Sequence, residues 1–282
     1  MLPSQPIRLV AIDLDDTLLN KQKQISPRNR EALRRAKEQG VVVTLVTGRM
    51  YASAEPYARS LQLDLPIVTY QGGLIRKSIS HETLFESVLD PGLTLEICRI
   101  LERFPGSLSL TIDDEFYADS ENETSNRYRD LHHVKVHIIG CLSHWLESQV
   151  SPNIYKIIYT DTPERVLQVM QALLPFANKV NMTRSYPAFL EIGPRGIHKG
   201  FAIHWLAQYF NIPEAAILVI GDGGNDIDMF KAAGFSICMG DGQPEAQAAA
   251  SYVGKSCEED GVAEALERFV LKKEQENGME II

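Results

Sequence analysis

Three carboxylates lie close together at the end of an apolar segment near the amino terminus. Residues 7–19 read IRLVAIDLDDTLL, so Asp13, Asp15 and Asp16 end a β-branched run and Thr17 follows them. Like charges held close together resist joint ionisation, and an apolar strand does not solvate them, so this ending favours a bound cation. A hard divalent ion such as Mg²⁺ prefers oxygen ligands and usually serves a phosphate. An acidic turn or a helix N-cap is the alternative interpretation.

Three further strand-like runs end in polar turns that contain glycine. VVVTLV leads into TGR at 47–49, PIVTY into QGG at 71–73, and AAILVI into GDGGND at 221–226. Each run is nearly all apolar, which is typical of strands buried on both faces of a parallel sheet. Helix-like segments follow several of them, so repeated βα units are predicted. Their binding crevice is expected at the carboxyl ends of the strands, where the polar residues lie.

The order of these motifs resembles the haloacid dehalogenase superfamily and, within it, the Cof-type phosphatases. The set comprises DLDDT at 13–17, VTGR at 46–49, Lys199 and GDGGND at 221–226, and LEIGPRGIHKG before the last block is also similar to that subfamily. The resemblance implies an α/β fold: a Rossmann-like, doubly wound parallel-sheet core with an inserted, smaller α/β cap. It covers most of the chain.

The domain boundaries follow from that resemblance and from a change in sequence texture. The catalytic core is predicted at 1–81 and 192–282, and a Cof-type cap at 82–191. Within the cap range, runs such as SLSLTID, VKVHIIG and IYKIIYT alternate more between polar and apolar residues. This alternation predicts a sheet with one solvated face.

Composition and charge argue against some classes of partner. The 282 residues are 44% hydrophobic and carry a formal net charge of −9, which argues against nucleic acid or an anionic membrane surface as a partner. Neither a signal peptide nor a membrane span is indicated. The four cysteines are spread without a CxxC pair, so free thiols and a cytoplasmic protein are expected. The expected partner is a small phosphate ester, and the chain is expected to be a monomer or a small homo-oligomer.

Helices are predicted at seven places. The segment NREALRRAKEQ has Ser26 as a cap before it, Pro27 in its first turn and Gly40 after it. The other predicted helices cover about 50–62, 91–103, 163–174, 200–210, 225–233 and 261–272. The tail KKEQENGMEII is expected to fray.

The resemblance also implies catalytic roles. Asp13 would attack phosphorus and form an aspartyl-phosphate. Asp15 would protonate the leaving oxygen and then take a proton from water. Their i, i+2 spacing suits this, because an extended strand end directs both side chains to one side. Asp16 is expected to be a solvated or capping residue without a catalytic part.

The same resemblance implies a metal and a phosphate site. Mg²⁺ would be held by the Asp13 carboxylate, the Asp15 backbone carbonyl and Asp222, and Asp226 would orient a water ligand. The residues expected to bind phosphate are Leu14, Thr47, Gly48, Lys199 and Asn225. Taken singly, these motifs have simpler interpretations: a glycine-rich turn for GDGGND, an N-cap for Thr47 and a solvated side chain for Lys199.

Several polar residues remain without an assigned role. Gln71 stands where Cof-type chains usually have Asn, so its longer side chain is expected to alter substrate fit while keeping the same polar atoms. Arg49 could face the cap or brace its turn, and His198 could line the site. His132 and its histidine neighbours lack metal-ligand partners at a familiar spacing and are expected to be cap surface.

The resulting hypothesis is a Mg²⁺-dependent phosphatase of small phosphate monoesters, either sugar phosphates or phosphorylated cofactors. A phosphomutase or phosphotransferase is an alternative, since it shares the first half-reaction. A phospho-acceptor signalling module would also need an acidic cluster, a threonine and a lysine. Such modules are about one ordinary domain long, and none of their chemistry needs an insertion at 82–191.

Overall fold

A computed structural model of the chain describes residues 2–184 and 186–271. The strands over these residues are β1 (Leu9–Ile12), β2 (Val42–Leu45), β3 (Pro66–Thr69), β4 (Leu74–Lys77), β5 (Thr83–Glu86), β6 (Ser107–Ile112), β7 (Glu115–Ala118), β8 (Val136–Ile138), β9 (Ile154–Thr160), β10 (Val180–Thr183), β11 (Phe189–Pro194), β12 (Ile217–Gly221), β13 (Phe235–Cys238) and β14 (Tyr252–Val253). The α-helices are α1 (Pro27–Glu38), α2 (Tyr51–Ser60), α3 (Pro91–Leu101), α4 (Glu123–Asp130), α5 (Leu142–Leu146), α6 (Pro163–Ala172), α7 (Lys199–Phe210), α8 (Ile227–Ala232), α9 (Pro244–Ala249) and α10 (Gly261–Phe269).

All seven helices expected from the sequence are present, with ends that differ by a few residues. In α1 the Ser26 hydroxyl accepts from Asn29 N at 3.1 Å, as the capping pattern predicts. Helices α4, α5 and α9 were not predicted; they have eight residues or fewer, and segments this short give a weak periodic signal. The predicted fraying tail at 272–282 lies outside the described residues, as does the last residue of the helix predicted at 261–272.

The core is a parallel sheet with strand order β14-β13-β12-β1-β2. A parallel bridge between Val46 and Val68 extends this sheet from β2 to β3, and β3 continues into an antiparallel ribbon, β3-β4-β5. Along β1, Val10 and Ile12 pack into one apolar cluster with α1, α2 and α10, whereas Leu9 and Ala11 pack into another with α7 and α8. Both faces are therefore covered by helices, and the predicted Rossmann-like, doubly wound core is confirmed.

A second sheet has strand order β10-β11-β9-β6-β7-β8 and is antiparallel except between β7 and β8. Its outer face packs against α3, α5 and α6. The prediction of a solvated second face is wrong in part, because Phe116, Tyr155 and Ile158 on that side are buried with core residues. The Tyr155 ring stacks on Tyr70 of the core at 4.3 Å between centroids.

The second sheet and the predicted cap range differ at both ends. Strand β5 lies inside 82–191 but pairs with β4. Strand β11 continues beyond this range to Pro194. The six-stranded sheet is therefore formed by residues 107–194. In chain order, β5 and α3 precede this segment, and α7 follows it and leads to β12 of the core sheet.

Candidate active site

The carboxyl ends of β1, β2 and β12 meet at one edge of the core sheet. Asp13 follows β1, and its backbone N–H donates to Ile220 O of β12 at 2.9 Å. Because neighbouring parallel strands end at the same edge, Asp13, Thr47 and Asp222 line one cleft. The sequence-based expectation that the polar strand ends come together is correct for these three residues.

Lys199 is fully buried between the carboxylates of Asp13 and Asp226. Its Nζ lies 2.7 Å from Asp13 Oδ1 and 2.5 Å from Asp226 Oδ1. Burial alone would lower the pKa of Lys199, but the two carboxylates outweigh burial and raise it above its ordinary value. The solvated interpretation of Lys199 is therefore wrong, and the site contains a permanent buried cation.

Asp226 holds the GDGGND turn in place. Its Oδ2 accepts from the backbone N–H groups of Asp222 and Gly223, each at 2.9 Å, while Oδ1 contacts Lys199. A Cβ on Gly221 would lie 2.5 Å from the Asp226 carboxyl carbon, so only glycine admits this close approach. The turn thus owes its shape to one fully buried carboxylate.

Asp13, Asp222 and Asp226 form an acidic cluster that could hold a divalent metal ion. One carboxylate oxygen from each lies within 4.8 Å of the others. Burial, followed by the neighbouring carboxylates, raises the pKa of Asp222 to about 8. Asp13 is also raised, to a pKa of about 7, mainly by burial and against the opposing charge of Lys199. A bound cation would relieve this repulsion, so the donor set fits a hard metal.

Asp15 also lines the cleft, and its partners are cationic. Arg49 donates to both of its oxygens, Nε to Oδ2 and Nη2 to Oδ1, each at 2.7 Å. Lys23 Nζ lies 2.9 Å from Oδ1. Burial alone would raise the pKa of Asp15, but these two cations hold it well below its usual range. Asp15 is therefore ionised, and Arg49 braces it.

The residues expected to bind phosphate lie in different places. Thr47, Gly48 and Asn225 line the cleft beside Asp13. The Thr47 hydroxyl accepts from Arg49 N at 3.2 Å, which ties the TGR turn to its own side chain. Leu14 differs, because its side chain is fully buried in the core cluster and only its main chain could meet a ligand.

Residues from the second sheet and its connections form the far wall of the cleft. The cleft contains about 800 Å³ of empty space, part of it open to solvent. The residues lining it from this side are Arg127, Tyr128, His132, Tyr186, Phe189 and Glu191. None of these was predicted. The expectation that His132 is cap surface is wrong, since its Nδ1 lies 3.1 Å from Ser53 Oγ of α2.

The comparisons with known proteins agree with this geometry. A family model described as haloacid dehalogenase-like hydrolase matches residues 10–266. The chain belongs to the haloacid dehalogenase-like hydrolases. The 5-amino-6-(5-phospho-D-ribitylamino)uracil phosphatase YwtE of Bacillus subtilis is 30% identical over 292 residues, covering 94% of this chain and 98% of YwtE.

Solved structures support the same family and its fold. A haloacid dehalogenase-like hydrolase from Bacteroides thetaiotaomicron is 31% identical with a TM-score of 0.80, and the match covers 93% of this chain and 99% of that one. A hydrolase of the same description from B. subtilis has a TM-score of 0.85 at 23% identity, over 94% of this chain and all of that one (100%), and it supports the fold alone.

This hydrolase is a phosphoric monoester hydrolase of the haloacid dehalogenase type, and the Cof-type resemblance is confirmed. In the part of the chain that the structure describes, no helix is long and apolar enough to span a bilayer. Among the far-wall residues, Glu191 lies in the LEIGPRGIHKG stretch, whereas the other five belong to no motif recognised in the sequence. The TGR motif did contain Arg49, and its contact with Asp15 follows from the fold rather than from spacing.

Proposed function

We propose that this hydrolase is a Mg²⁺-dependent phosphatase of small phosphate monoesters that works through an aspartyl-phosphate. The observation that carries the proposal is the contact of fully buried Lys199 with Asp13, beside a cluster of three carboxylates. Such a site neutralises a phosphate dianion next to a carboxylate nucleophile. Sugar phosphates and phosphorylated cofactors are the proposed substrates, in a cytoplasmic protein whose four cysteines are free.

The metal would be held by the Asp13 and Asp222 carboxylates and by the Asp15 carbonyl. Asp226 would act through a water ligand, since both of its oxygens already accept from protein groups. When bound, Mg²⁺ would neutralise charge on the phosphate. Thr17 supports the arrangement, because its hydroxyl donates to Asp222 Oδ1 at 3.0 Å and fixes that carboxylate.

In the first step, an Asp13 oxygen would form a bond to phosphorus as the bond from phosphorus to the ester oxygen breaks. Lys199 holds Asp13 Oδ1 in place for this attack. The phosphate oxygens would be bound by Lys199, Thr47, the Gly48 backbone and Asn225. The leaving oxygen would take a proton from Asp15.

In the second step, water would attack the phosphoryl group while Asp15 accepts its proton, and phosphate would leave as Asp13 is regenerated. The ionised state of Asp15 beside Arg49 suits this basic role. For the first step, Asp15 must carry a proton, which it would take from solvent when ester binding loosens its contact with Arg49. Arg49 is thereby proposed to position the acid and base.

The segment 82–191 is proposed to act as a cap that selects the leaving group. Its aromatic side chains Tyr128, Tyr186 and Phe189 face the cleft and could stack on a planar or sugar ring. A relative, YwtE, is named as the phosphatase of a phosphorylated ribitylaminouracil. Phosphorylated sugar alcohols attached to a ring therefore belong in the substrate panel.

The deciding experiment is a phosphate-release screen. Purified protein with Mg²⁺ is incubated with sugar phosphates, phosphorylated cofactors, a ring-linked sugar-alcohol phosphate and 4-nitrophenyl phosphate, and released phosphate is measured. We expect hydrolysis of several small monoesters. Chelation should abolish it and Mg²⁺ should restore it. Full turnover in excess chelator would refute the metal assignment, and absence of any hydrolysis would refute the proposed function.

A further inference from the structure

Gln71 lies where three separate parts of the molecule meet. It follows β3 in a turn where its φ is +60°, a left-handed conformation. Its side chain lies over the TGR turn, so close that a Cβ on Gly48 would be 2.5 Å from Gln71 Nε2. Glycine at 48 is therefore required for the Gln71 amide to lie where it does.

The nitrogen of the Gln71 amide faces the second sheet. Nε2 donates to Glu191 Oε2 of β11 at 3.3 Å. The same Glu191 oxygen lies 3.0 Å from Nζ of Lys156 in β9, a lysine with only 4% exposure. Lys156 in turn donates to Gly48 O at 2.9 Å. The second sheet thus contacts the TGR turn both directly and through Gln71.

The oxygen of the Gln71 amide faces the GDGGND turn. Oε1 accepts from Asn225 Nδ2 at 3.4 Å. A carboxamide nitrogen carries two hydrogens, so Asn225 keeps a second donor for a ligand. Gln71 consequently fixes which way the Asn225 amide points.

We propose that Gln71 is a positioning residue that couples the cap to phosphate binding. The inference rests on the proposed function, in which Gly48 and Asn225 bind the phosphate. Seating the Lys156–Glu191 pair on the core orients Gln71, and Gln71 orients Asn225 for the phosphate oxygens. Cap contact and phosphate binding are therefore linked through one amide.

The length of the side chain is essential to this coupling. Asn has the same polar atoms but one methylene fewer, so from position 71 it cannot span both contacts at 3.3 Å and 3.4 Å. Asn also tolerates positive φ better than Gln, so Gln71→Asn shortens the side chain without straining the backbone of the turn.

The test measures inorganic phosphate binding and hydrolysis of 4-nitrophenyl phosphate by the full chain with Mg²⁺. Gln71→Asn should weaken phosphate binding, followed by calorimetry, by about tenfold, the worth of one or two hydrogen bonds. KM should rise by a similar factor while kcat changes less than about threefold, because the lost contacts act on ground-state binding. The unfolding temperature should not fall.

Gln62→Asn is the matched control. Gln62 is exposed, has φ +53° and lies away from the cleft, so the same substitution there should change neither phosphate binding nor KM. In a Glu191→Ala background, Gln71→Asn should weaken binding by less than about threefold, because Gln71 has already lost its cap contact.

Each result decides a separate point. Wild-type phosphate affinity in folded Gln71→Asn would overturn the proposal, and an undiminished tenfold effect in the Glu191→Ala background would overturn the coupling to the cap. If the wild-type protein binds inorganic phosphate but hydrolyses no ester, the proposed function fails while the binding measurement still decides the role of Gln71. A wild-type protein that does not bind phosphate would overturn both.

Discussion

Lys199 has two carboxylate partners that come from opposite ends of the sequence. Asp13 ends the first strand, and Asp226 closes the turn after β12. A buried cation with hydrogen-bonded partners is tolerated, whereas removing one partner leaves an uncompensated charge that is costly. Asp15 lies two residues after Asp13, and Arg49 and Lys23 keep it ionised. The pKa values of the two proposed catalytic carboxylates are therefore shifted in opposite directions: burial and the neighbouring carboxylates raise that of Asp13, whereas two cations lower that of Asp15.

Asp13→Asn should reduce turnover to background with every ester, because an amide cannot form the phosphoryl-enzyme. Asp15→Asn should reduce turnover by about 10²- to 10⁴-fold, and less for 4-nitrophenyl phosphate, whose leaving group needs little protonation. Deprotonation of water would still be impaired, so a burst of nitrophenol is expected. Rapid-mixing kinetics measures both effects.

Asp16→Asn is the control for these two variants. The Asp16 side chain is 40% exposed and contacts Lys23 at 3.5 Å, and its φ of +55° suits Asn. We expect turnover within about threefold of wild type. The two-step assignment would be contradicted if Asp13→Asn retained substantial activity. It would also be contradicted if Asp15→Asn showed no burst and no dependence on the leaving group.

His132 is expected to make the stability of the protein depend on pH. Burial and then the charge of Arg49 lower its pKa to about 3, against 6.5 for an unperturbed histidine. Between these values the unfolded chain takes up a proton that the folded protein does not. The free energy of unfolding should therefore decline as pH falls from about 6.5 toward 3.

His132→Asn should make this decline shallower, as measured by denaturant unfolding at a series of pH values. His133→Asn, at the exposed neighbour, should leave the pH dependence as in wild type. Identical profiles for the two variants would show that His132 does not contribute to acid sensitivity.

At the scale of elements, α7 delivers Lys199 from its first position. His198 is the N-cap, and its Nδ1 accepts from Phe201 N at 3.3 Å. One residue after Lys199, a Cβ on Gly200 would lie 2.6 Å from Asp228 O, so glycine allows α7 to pack closely on α8. The capping bond gives His198 a structural role, which the sequence alone had left open.

His198→Ala should lower the free energy of unfolding by about 1 kcal/mol through loss of the cap, whereas His198→Ser, which retains a capping oxygen, should keep most of it. Activity should change less than about threefold, because Asp13 and Asp226 hold Lys199 independently of the cap. Chemical denaturation and steady-state rates measure the two effects. Equal loss in both variants would argue against capping.

At the scale of the whole molecule, the second sheet is joined to the core at several points around the cleft. Asp114, in the turn between β6 and β7, accepts from Ala52 N at the start of α2 at 2.8 Å and from the Tyr70 hydroxyl at 2.7 Å. The N-cap of α2, Met50, has no side-chain capping bond of its own. Asp114 thus caps a core helix from the other sheet.

Asp114→Ala should lower the free energy of unfolding by about 1–3 kcal/mol and increase protease cleavage between the two sheets, since the Ala52 N–H and the Tyr70 hydroxyl lose their shared acceptor. Asp113→Ala is the matched control: Asp113 lies in the same turn, also has positive φ, and its carboxylate accepts from the exposed Asn153 side chain at 2.8 Å. Asp113→Ala should lower the free energy of unfolding by less than Asp114→Ala does. Equal losses would mean that the conformation of the turn, and not the contact of Asp114 with α2 and Tyr70, stabilises the protein.

Much of the core and of the acidic cluster could be predicted from the sequence alone. Fully apolar strand runs and polar residues at their ends are local patterns, and parallel strands necessarily bring those ends together. The placement of Asp13, Thr47 and Asp222 in one cleft, with Lys199 in contact with Asp13, followed from this logic and from motif order.

Tertiary structure alone decided the surroundings of those residues. Three arrangements depend on contacts between segments distant in sequence. Asp15 pairs with Arg49, the Lys156–Glu191 pair lies against Gly48, and Gln71 joins Glu191 to Asn225. Burial and charge at a side chain are set by whatever packs against it, and no local pattern encodes that. The sequence therefore determined which groups could do the chemistry, whereas the fold decided their ionisation and their neighbours.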